Sequence, residues 1–432
     1  MNYDEALEYI HAHKRFSGAP TLARMRKLMY LLGNPQSSLR FVHIAGTNGK
    51  GSTTAMTAAV LKNAGCKTGQ YVSPFVLCFC ERMQINGEMI SENELAEIAE
   101  AVRRCEEVLA KKGESCRPTE FEVVTAIAFV WFARQKCDIV CLEVGLGGRF
   151  DATNVIEPPA VQIITAISLD HTAILGDSVE KIAYEKSGII KGATVICYPL
   201  QPTNALAVIM EQCALCGASL IQPNINSVQH LGTSFFEPRF NYGGLTLQPS
   251  LLGEHQTCNA ITVVEACRAL RTVGFGISDE NICSGIANTV FPARLEPLSR
   301  EPVILLDGAH NPGGAEALES ALLTLKSEGC KSLTVLMGML EDKDWQHSVE
   351  RIARCADSFI AVTPCNPRAL AAEALAEHAR LFCAHVMCAQ SAASAAEAAA
   401  RQLPCTGGGA LVVCGSLYLA AQLRPVLLAS QA

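Results

Sequence analysis

Charge is sparse in this chain of 432 residues: 18% of the side chains are Asp, Glu, Lys or Arg, while 49% are apolar. The charge present leans acidic, with 42 carboxylates against 35 basic groups and a formal net charge of −7. That balance lacks the basic excess needed to displace counterions from a phosphate backbone, which excludes a non-specific nucleic-acid binder. Small anionic ligands stay compatible with it if positive charge is concentrated locally. The chain also lacks an unbroken apolar run of membrane-spanning length. The uncharged stretch from Gln402 to Leu423 is interrupted by Pro404, Gly407–Gly409 and Gly415-Ser416, and Val123–Ala133 is too short. The opening residues Met1-Asn-Tyr-Asp-Glu5 show no basic-then-apolar signal pattern. A cytoplasmic protein with neither a nucleic-acid nor a membrane partner is expected.

Cysteine is abundant, at 20 residues, but the patterns that would give it a role are missing. The close pairs Cys78/Cys80 and Cys213/Cys216 have no second pair at zinc-ribbon spacing. Cys137, Cys141, Cys197 and Cys414 sit inside apolar runs, where cysteine behaves as a small hydrophobe. In a chain without an export signal these thiols are expected to stay reduced.

The length exceeds what one core usually serves, since single cores stop growing near about 250–300 residues. An opening helix (Tyr3–His13) leads through the polar segment Phe16–Arg24 into a second helix. Apolar strands are then expected at Arg40–Ala45, Asp138–Glu143, Ala160–Ile167 and Ala193–Cys197, with helices between them at Ser52–Ala64, Ser91–Ala110 and Glu120–Arg134. Strands alternating with helices predict a mostly parallel sheet covered on both faces. Between Leu220 and Leu251 short polar and aromatic alternations predict a small antiparallel insertion, followed by a helix near Asn259–Val273. Phe291-Pro-Ala-Arg-Leu-Glu-Pro297 marks a boundary, because its prolines stop helices. Alternation then restarts with strands at Val303–Asp307, Ser332–Met337, Ser358–Val362, Ala384–Cys388 and Ala410–Cys414. The expected fold is α/β in two domains. Residues 1–295 form a P-loop ATPase domain, and 296–432 a smaller Rossmann-like domain.

The strongest local signal is Phe41-Val-His-Ile-Ala-Gly46-Thr47-Asn48-Gly49-Lys50-Gly51-Ser52-Thr53-Thr54. An apolar strand runs into a glycine-rich turn and then a helix that opens on hydroxyl residues. Glycines let backbone N–H groups converge on phosphate oxygens, the helix N-terminus adds partial positive charge, and Lys50 adds a full one. Ser52 or Thr53 can cap the helix beside a phosphate-bound magnesium ion. A guanine-reading N/T-K-x-D segment is absent, which weakens a GTPase assignment. Gly145–Gly148 has no acidic residue twenty positions on that would support a dinucleotide fingerprint.

Other residues carry two meanings when taken alone. Glu143 ends the run Asp138-Ile-Val-Cys-Leu-Glu143, where a carboxylate could hold magnesium or simply cap a loop. His171, in Asp170-His171, could bind a second ion or make a turn hydrogen bond. Lys186 alone reads as a solvated charge on a helix. Asp307 and His310, in Asp307-Gly-Ala-His-Asn-Pro312, read first as a strand-to-helix turn.

Taken in order, the motifs resemble those of the folylpolyglutamate synthase/dihydrofolate synthase family within the Mur ligase superfamily. The phosphate loop is followed by Ser73-Pro74, Glu81-Arg-Met-Gln-Ile-Asn-Gly87, Thr119-Glu-Phe-Glu122 and Glu143-Val-Gly-Leu-Gly-Gly-Arg-Phe-Asp-Ala-Thr-Asn154. Then come Asp170-His-Thr172, Glu185-Lys-Ser-Gly188, Gly253-Glu-His-Gln256, Pro292-Ala-Arg294, Asp307-Gly-Ala-His-Asn-Pro312, Asp342-Lys-Asp344 and Gly415-Ser-Leu-Tyr418. The resemblance spans nearly the whole chain. It implies an ATP-dependent ligase that adds L-glutamate to a folate-type carboxylate, dihydropteroate or a reduced folate, through an acyl phosphate.

The same resemblance implies the residue roles. Gly46, Thr47, Asn48, Gly49, Lys50, Gly51 and Ser52, with Asn259, Arg294 and Asp307, would bind ATP. Ser73, Glu143 and His171 would hold two Mg2+ ions. Lys186 would be N6-carboxylysine, an anion beside those ions, and Lys50, Lys186 and His171 would serve the chemistry. The pterin-like substrate would meet Thr21, Leu22 and Arg24, then Thr119, Glu120, Phe121 and Glu122, then Phe150, Asp151 and Ala152. His310 and Ser416, beside Asp307, would receive glutamate. Partners are then small molecules only, with the protein a monomer. A Mur-type ligase acting on a cell-wall precursor, and a nucleotide switch without ligase chemistry, stand as the alternatives.

Overall fold

The computed structural model of the chain describes residues 1–14, 21–111, 113, 117–232, 234–402 and 408–429. Residues 15–20, in the polar segment singled out above, lie outside the described residues, as do Cys116 and Cys405. The chain forms two compact units. The first comprises residues 1–167, 171–227 and 258–289, and the second 168–170, 228–257 and 290–432.

In the first unit an eight-stranded sheet has the order β4-β3-β2-β5-β1-β6-β7-β8. Its strands are β1 (Phe41–Ala45), β2 (Thr68–Tyr71), β3 (Met83–Ile85), β4 (Glu88–Met89), β5 (Ile139–Glu143), β6 (Val161–Ile164), β7 (Thr194–Cys197) and β8 (Leu220–Ile221). All pair in parallel except β3 and β4, which form an antiparallel hairpin at one edge. Strands β1, β5 and β6 are buried at every residue, which is why they read as mostly apolar runs.

Helices α1 (Tyr3–His11), α2 (Ala23–Leu31), α3 (Lys50–Asn63), α4 (Glu92–Ala110) and α5 (Glu120–Arg134) precede β5, and α6 (Thr172–Leu175), α7 (Val179–Ser187) and α8 (Thr203–Cys216) follow β6. α5 buries eleven residues in a row, Glu122–Phe132. Its Phe129 and Phe132 are fully buried in the core that α1, α2 and α4 complete on one face of the sheet, each side chain contributing about 1.5–3 kcal/mol. The first turns of α1 and α5 are fixed by reciprocal capping boxes from Asn2 and Thr119. Helices α9 (His255–Thr272) and α10 (Asp279–Ala287) follow later in the chain, and α10 packs on α3.

The second unit contains a small antiparallel sheet of β9 (Gln229–His230), β10 (Phe240–Tyr242) and β11 (Leu245–Leu247). Its six-stranded sheet runs β12-β13-β17-β14-β15-β16, made of β12 (Glu296–Arg300), β13 (Val303–Leu306), β14 (Ser332–Met337), β15 (Ser358–Val362), β16 (Val386–Ala389) and β17 (Gly409–Cys414). Only β12 is antiparallel. Helices α11 (Pro312–Ser327), α12 (Trp345–Cys355), α13 (Ala372–Ala379), α14 (Ala392–Gln402) and α15 (Leu417–Ala429) connect its strands.

A single cut at residue 295 differs from this division in three places, the first being that the second unit begins at residue 290. Residues 228–257 group with the second unit, because Phe235 and Leu252 are buried with Leu295, Leu305 and Leu322 in its core. Residues 168–170 group there too. Of the antiparallel insertion expected at 220–251, β9–β11 are present at 229–247, whereas Leu220–Ile221 form β8, a parallel edge strand of the first sheet. β2–β4 and β12 were not foreseen. Pro297 sits within β12, where an edge strand with a register shift between Pro297 and Ser299 tolerates it. The described cysteines form no disulfide. Among the described residues no helix is long and apolar enough to cross a membrane.

Candidate active site

The phosphate-loop sequence leaves the C-terminal end of β1, near the middle of the first sheet, and enters α3 at Lys50. In a parallel α/β sheet that edge is where ligands are bound. Two glycines permit the path. Gly46 has φ +152°, and a Cβ there would lie 1.8 Å from Thr165 Oγ1. Gly49 has φ +84°, and a Cβ there would lie 2.6 Å from Asn259 Oδ1, so buried Asn259 packs directly on the loop. The N–H groups of Thr47 and Asn48 donate to the Ala166 carbonyl at 2.8 and 3.2 Å, tying the loop to the chain leaving β6. These two amides thus brace the loop, and the first turn of α3, as a helix N-terminus, is the part suited to an anion. There the hydroxyls of Thr53 and Thr54 are buried without a hydrogen-bond partner.

Two ammonium groups meet at one loop carbonyl. Lys50 Nζ donates to Gly46 O and Thr47 O, both at 3.1 Å, and Lys186 Nζ donates to Gly46 O at 2.7 Å. Lys186 sits in the last turn of α7 and is only 5% exposed. The solvated charge that its isolated sequence context suggests is therefore corrected: tertiary packing carries this lysine under the loop.

Glu143 closes β5 and is buried, and its Oε2 accepts from the Ser73 N–H at 3.2 Å. The structure brings these two oxygen-bearing residues together. Beyond them Glu81 accepts from the Val76 and Leu77 N–H groups at 2.8 and 3.0 Å, shaping the loop that Ser73 begins. His171 is exposed, with φ +51°, at the N-terminus of α6. Among the described residues no group of three or more His, Cys, Asp and Glu side chains is arranged to hold a metal by itself. A buried carboxylate beside a serine is instead the donor set of an ion that keeps waters and phosphate oxygens as its other ligands, which suits Mg2+.

A third cluster lies around the N-terminus of α5. Glu122 Oε2 accepts from the Thr119 N–H at 2.7 Å and from Arg24 Nε at 3.2 Å, a pair with side chains only 14% and 7% exposed. Glu120 meets His11 at 3.0 Å, and the Phe121 ring packs on Gly145. Thr21 Oγ1 accepts from the Ala23 N–H at 3.1 Å, and Leu22 begins α2. Buried Asp151 accepts from the Leu146 N–H at 2.9 Å, the Thr153 N–H at 3.0 Å and the Thr153 hydroxyl at 2.5 Å. Burial pushes its carboxyl pKa up, against those hydrogen bonds. Ala152 is buried and Phe150 is exposed.

In the second unit, Asp307 follows β13 and fixes the next turn by accepting from the Leu295 N–H at 2.8 Å and the Ala309 N–H at 2.7 Å. Arg294 Nη1 bonds Ala293 O at 2.9 Å and lies 2.9 Å from where a Cβ on Gly308 would stand. Leu417 crowds the same glycine, so buried Ser416, whose hydroxyl accepts from the Tyr418 N–H at 3.1 Å, is beside this turn. His310 Nδ1 lies 2.7 Å from Gly308 O. Burial, reinforced by the nearby Lys343 charge, lowers its pKa to about 4, so the ring is neutral at physiological pH.

Sequence reasoning gave no role to one adjacent group. Lys343 Nζ lies 2.8 Å from Asp170 Oδ1, with side chains 9% and 11% exposed, and Asn311 Nδ2 donates to Asp170 Oδ2 at 2.9 Å. The available signals were the Asp170-His and Asp342-Lys-Asp344 motifs, but partners 173 positions apart leave no spacing to read.

Residues 44–267 match the Mur ligase middle domain, and residues 293–417 the Mur ligase glutamate ligase domain. The chain is 35% identical to the folylpolyglutamate synthase of Lacticaseibacillus casei over 99% of both chains. It is 36% identical to the dihydrofolate synthase/folylpolyglutamate synthase of Bacillus subtilis, covering 86% of this chain and 88% of that one. The solved structure of Escherichia coli FolC in complex with DHPP and ADP matches with a TM-score of 0.86 at 29% identity, covering 100% and 99% of the two chains. With its phosphate loop, its two α/β units and this similarity from end to end, the chain belongs to the folylpolyglutamate synthase/dihydrofolate synthase family of Mur ligases, ATP-dependent enzymes that form carbon–nitrogen bonds.

Proposed function

We propose that the chain joins L-glutamate to the carboxylate of dihydropteroate, of a reduced folate, or of both, releasing ADP and phosphate. The carrying observation is the glycine loop at the end of β1 with Lys50 directed at the Gly46 and Thr47 carbonyls. A neutral carbonyl leaves net positive charge in place, and a triphosphate can claim it. Gly46–Ser52 and Asn259, together with Arg294 and Asp307, bind ATP. The γ-phosphoryl group passes to the substrate carboxylate, and the glutamate amine then attacks the acyl phosphate and displaces phosphate. Positioning and electrostatic stabilisation supply most of the acceleration of such a step.

Ser73, Glu143 and His171 hold two Mg2+ ions, which when bound screen phosphate charge. Lys186 is carried as N6-carboxylysine, which turns a buried cation into an anion beside those ions. An intact mass of active protein lacking the added carbon dioxide would rule that out. Thr21, Leu22, Arg24, Thr119, Glu120, Phe121, Glu122, Phe150, Asp151 and Ala152 receive the pterin-like substrate, supported by the clustering of Arg24, Glu122 and Thr119. Asp307, His310 and Ser416 receive glutamate, for which a neutral His310 is suited to polar contact rather than ion pairing. The nucleotide site thus belongs mainly to the first unit and the amino-acid site to the second. The protein works as a cytoplasmic monomer on small molecules, without nucleic-acid or membrane partners.

The deciding experiment measures ADP release with glutamate, comparing dihydropteroate with tetrahydrofolate, and follows products by mass. ADP release that requires both glutamate and a folate, with a product heavier by one glutamyl residue, supports the proposal. ADP release indifferent to both rejects it.

A further inference from the structure

His43 lies in the phosphate-loop motif, three residues before Gly46, yet the chemistry above gives it no role. It is the one ionisable side chain of β1 and is fully buried. Its Nε2 lies 2.9 Å from Thr153 Oγ1, and the Thr153 hydroxyl donates to Asp151 Oδ1 at 2.5 Å. A hydroxyl has one proton, and Asp151 takes it. Thr153 Oγ1 therefore accepts from His43, which fixes the proton on Nε2 and leaves Nδ1 as a bare acceptor. That nitrogen is buried with no partner. An apolar residue would suit an all-buried strand better than a histidine with one orphaned nitrogen. Such departures from local rules gather at functional sites.

We infer that His43 is a positioning residue: through Thr153 it aims the Asp151 carboxylate at the pterin-like substrate. The inference rests on the assignment of Asp151 to that substrate under the proposed function. The donors run in one direction, His43 to Thr153 to Asp151, while the Leu146 and Thr153 N–H groups hold the same carboxylate from the backbone. Burial, with the charge of Lys191 adding to it, lowers the His43 pKa to about 3. The ring therefore remains neutral, and the direction of the relay does not reverse across the physiological range. A neutral imidazole locks the carboxylate's orientation without offsetting its charge, leaving that charge for a substrate N–H.

The test uses the full chain and measures KM for dihydropteroate, ATP and glutamate, together with kcat. Glutamine places its amide N–H near the position of Nε2, whereas asparagine reaches only the position of Nδ1. His43→Asn and Thr153→Val should each raise the dihydropteroate KM about tenfold, the scale of one lost hydrogen bond. kcat and the other two KM values should stay within about threefold, which is less than half that free-energy change. His43→Gln and Thr153→Ser should restore the dihydropteroate KM, and His43→Asn with Thr153→Val combined should be no worse than Thr153→Val alone. Equal performance of the asparagine and glutamine variants, or parallel shifts in all three KM values, overturns the inference. A wild-type chain with no folate-dependent ADP release overturns the proposed function and this inference with it. A responsive wild type whose variants do not differ overturns the inference alone.

Discussion

The two units hold their part-buried lysines in different ways. In the first, Lys50 bonds the Gly46 and Thr47 carbonyls, and Lys191 those of Asn154 and Ile156, 2.7 and 2.6 Å away. In the second, Lys343 instead bonds a carboxylate, Asp170, at 2.8 Å, which the Asn311 side chain also meets. A carbonyl satisfies the geometry of an ammonium but not its charge. A carboxylate given amides or a lysine is more nearly neutralised and serves to shape turns. Positive charge on Lys50 is thus held in reserve at the loop proposed to take the triphosphate, which is why the formal net charge of −7 was a poor guide to handling anions.

Lys50→Ala tests the reserve most severely. It should lower ATP-dependent ADP release about 1,000-fold, the scale of losing a preorganised electrostatic contact. Turnover within tenfold of wild type would end the comparison at its first term. Next in size, Lys343→Met strands the buried Asp170 charge and should cost about 3 kcal/mol of unfolding free energy. Asp170→Asn combined with it should recover most of that in denaturant titrations. A single variant as stable as wild type would mean the second unit's ion pair is not structural.

His310→Ala should raise the glutamate KM about tenfold while sparing the ATP KM, the scale of one polar contact. An unchanged glutamate response removes His310 from the site. The smallest effect concerns pH. The folded His310 pKa lies near 4, below the ordinary histidine value of 6.5. On acidification the unfolded chain therefore takes up this proton first. The contribution of neutral His310 is full above pH 6.5 and is lost as pH falls toward 4, at a slope of at most about 1.4 kcal/mol per pH unit. Melts of wild type and His310→Ala should diverge only in that window, and a divergence at alkaline pH instead would contradict the sign.

These contrasts were partly legible in the sequence. The phosphate loop could be found because its chemistry is local: glycines, a lysine and hydroxyls follow one apolar strand without interruption. The doubly covered strands β1, β5 and β14 could be found because burial on both faces leaves mostly apolar residues. β2, read in sequence as Thr68-Gly-Gln-Tyr71, carries no such pattern and is a strand because β5 and β3 pair with it on either side. Lys186 and the Asp170–Lys343 pair were illegible for a related reason. A lysine's burial, and a partner 173 positions away, are properties of the folded chain. The order of the motifs supplied the family, whereas the orientation of each side chain had to come from packing.

The route of the backbone carries a consequence for engineering. The chain passes from one unit to the other after residues 167, 170, 227, 257 and 289. A gene cut at any single point therefore cannot release two complete modules. A fragment starting at residue 290 would lack Phe235 and Leu252, which help fill the core around Leu305 and Leu322. Chimeras that exchange the second unit between related ligases need to carry residues 168–170 and 228–257 with it, as separate transplanted segments rather than one contiguous tail.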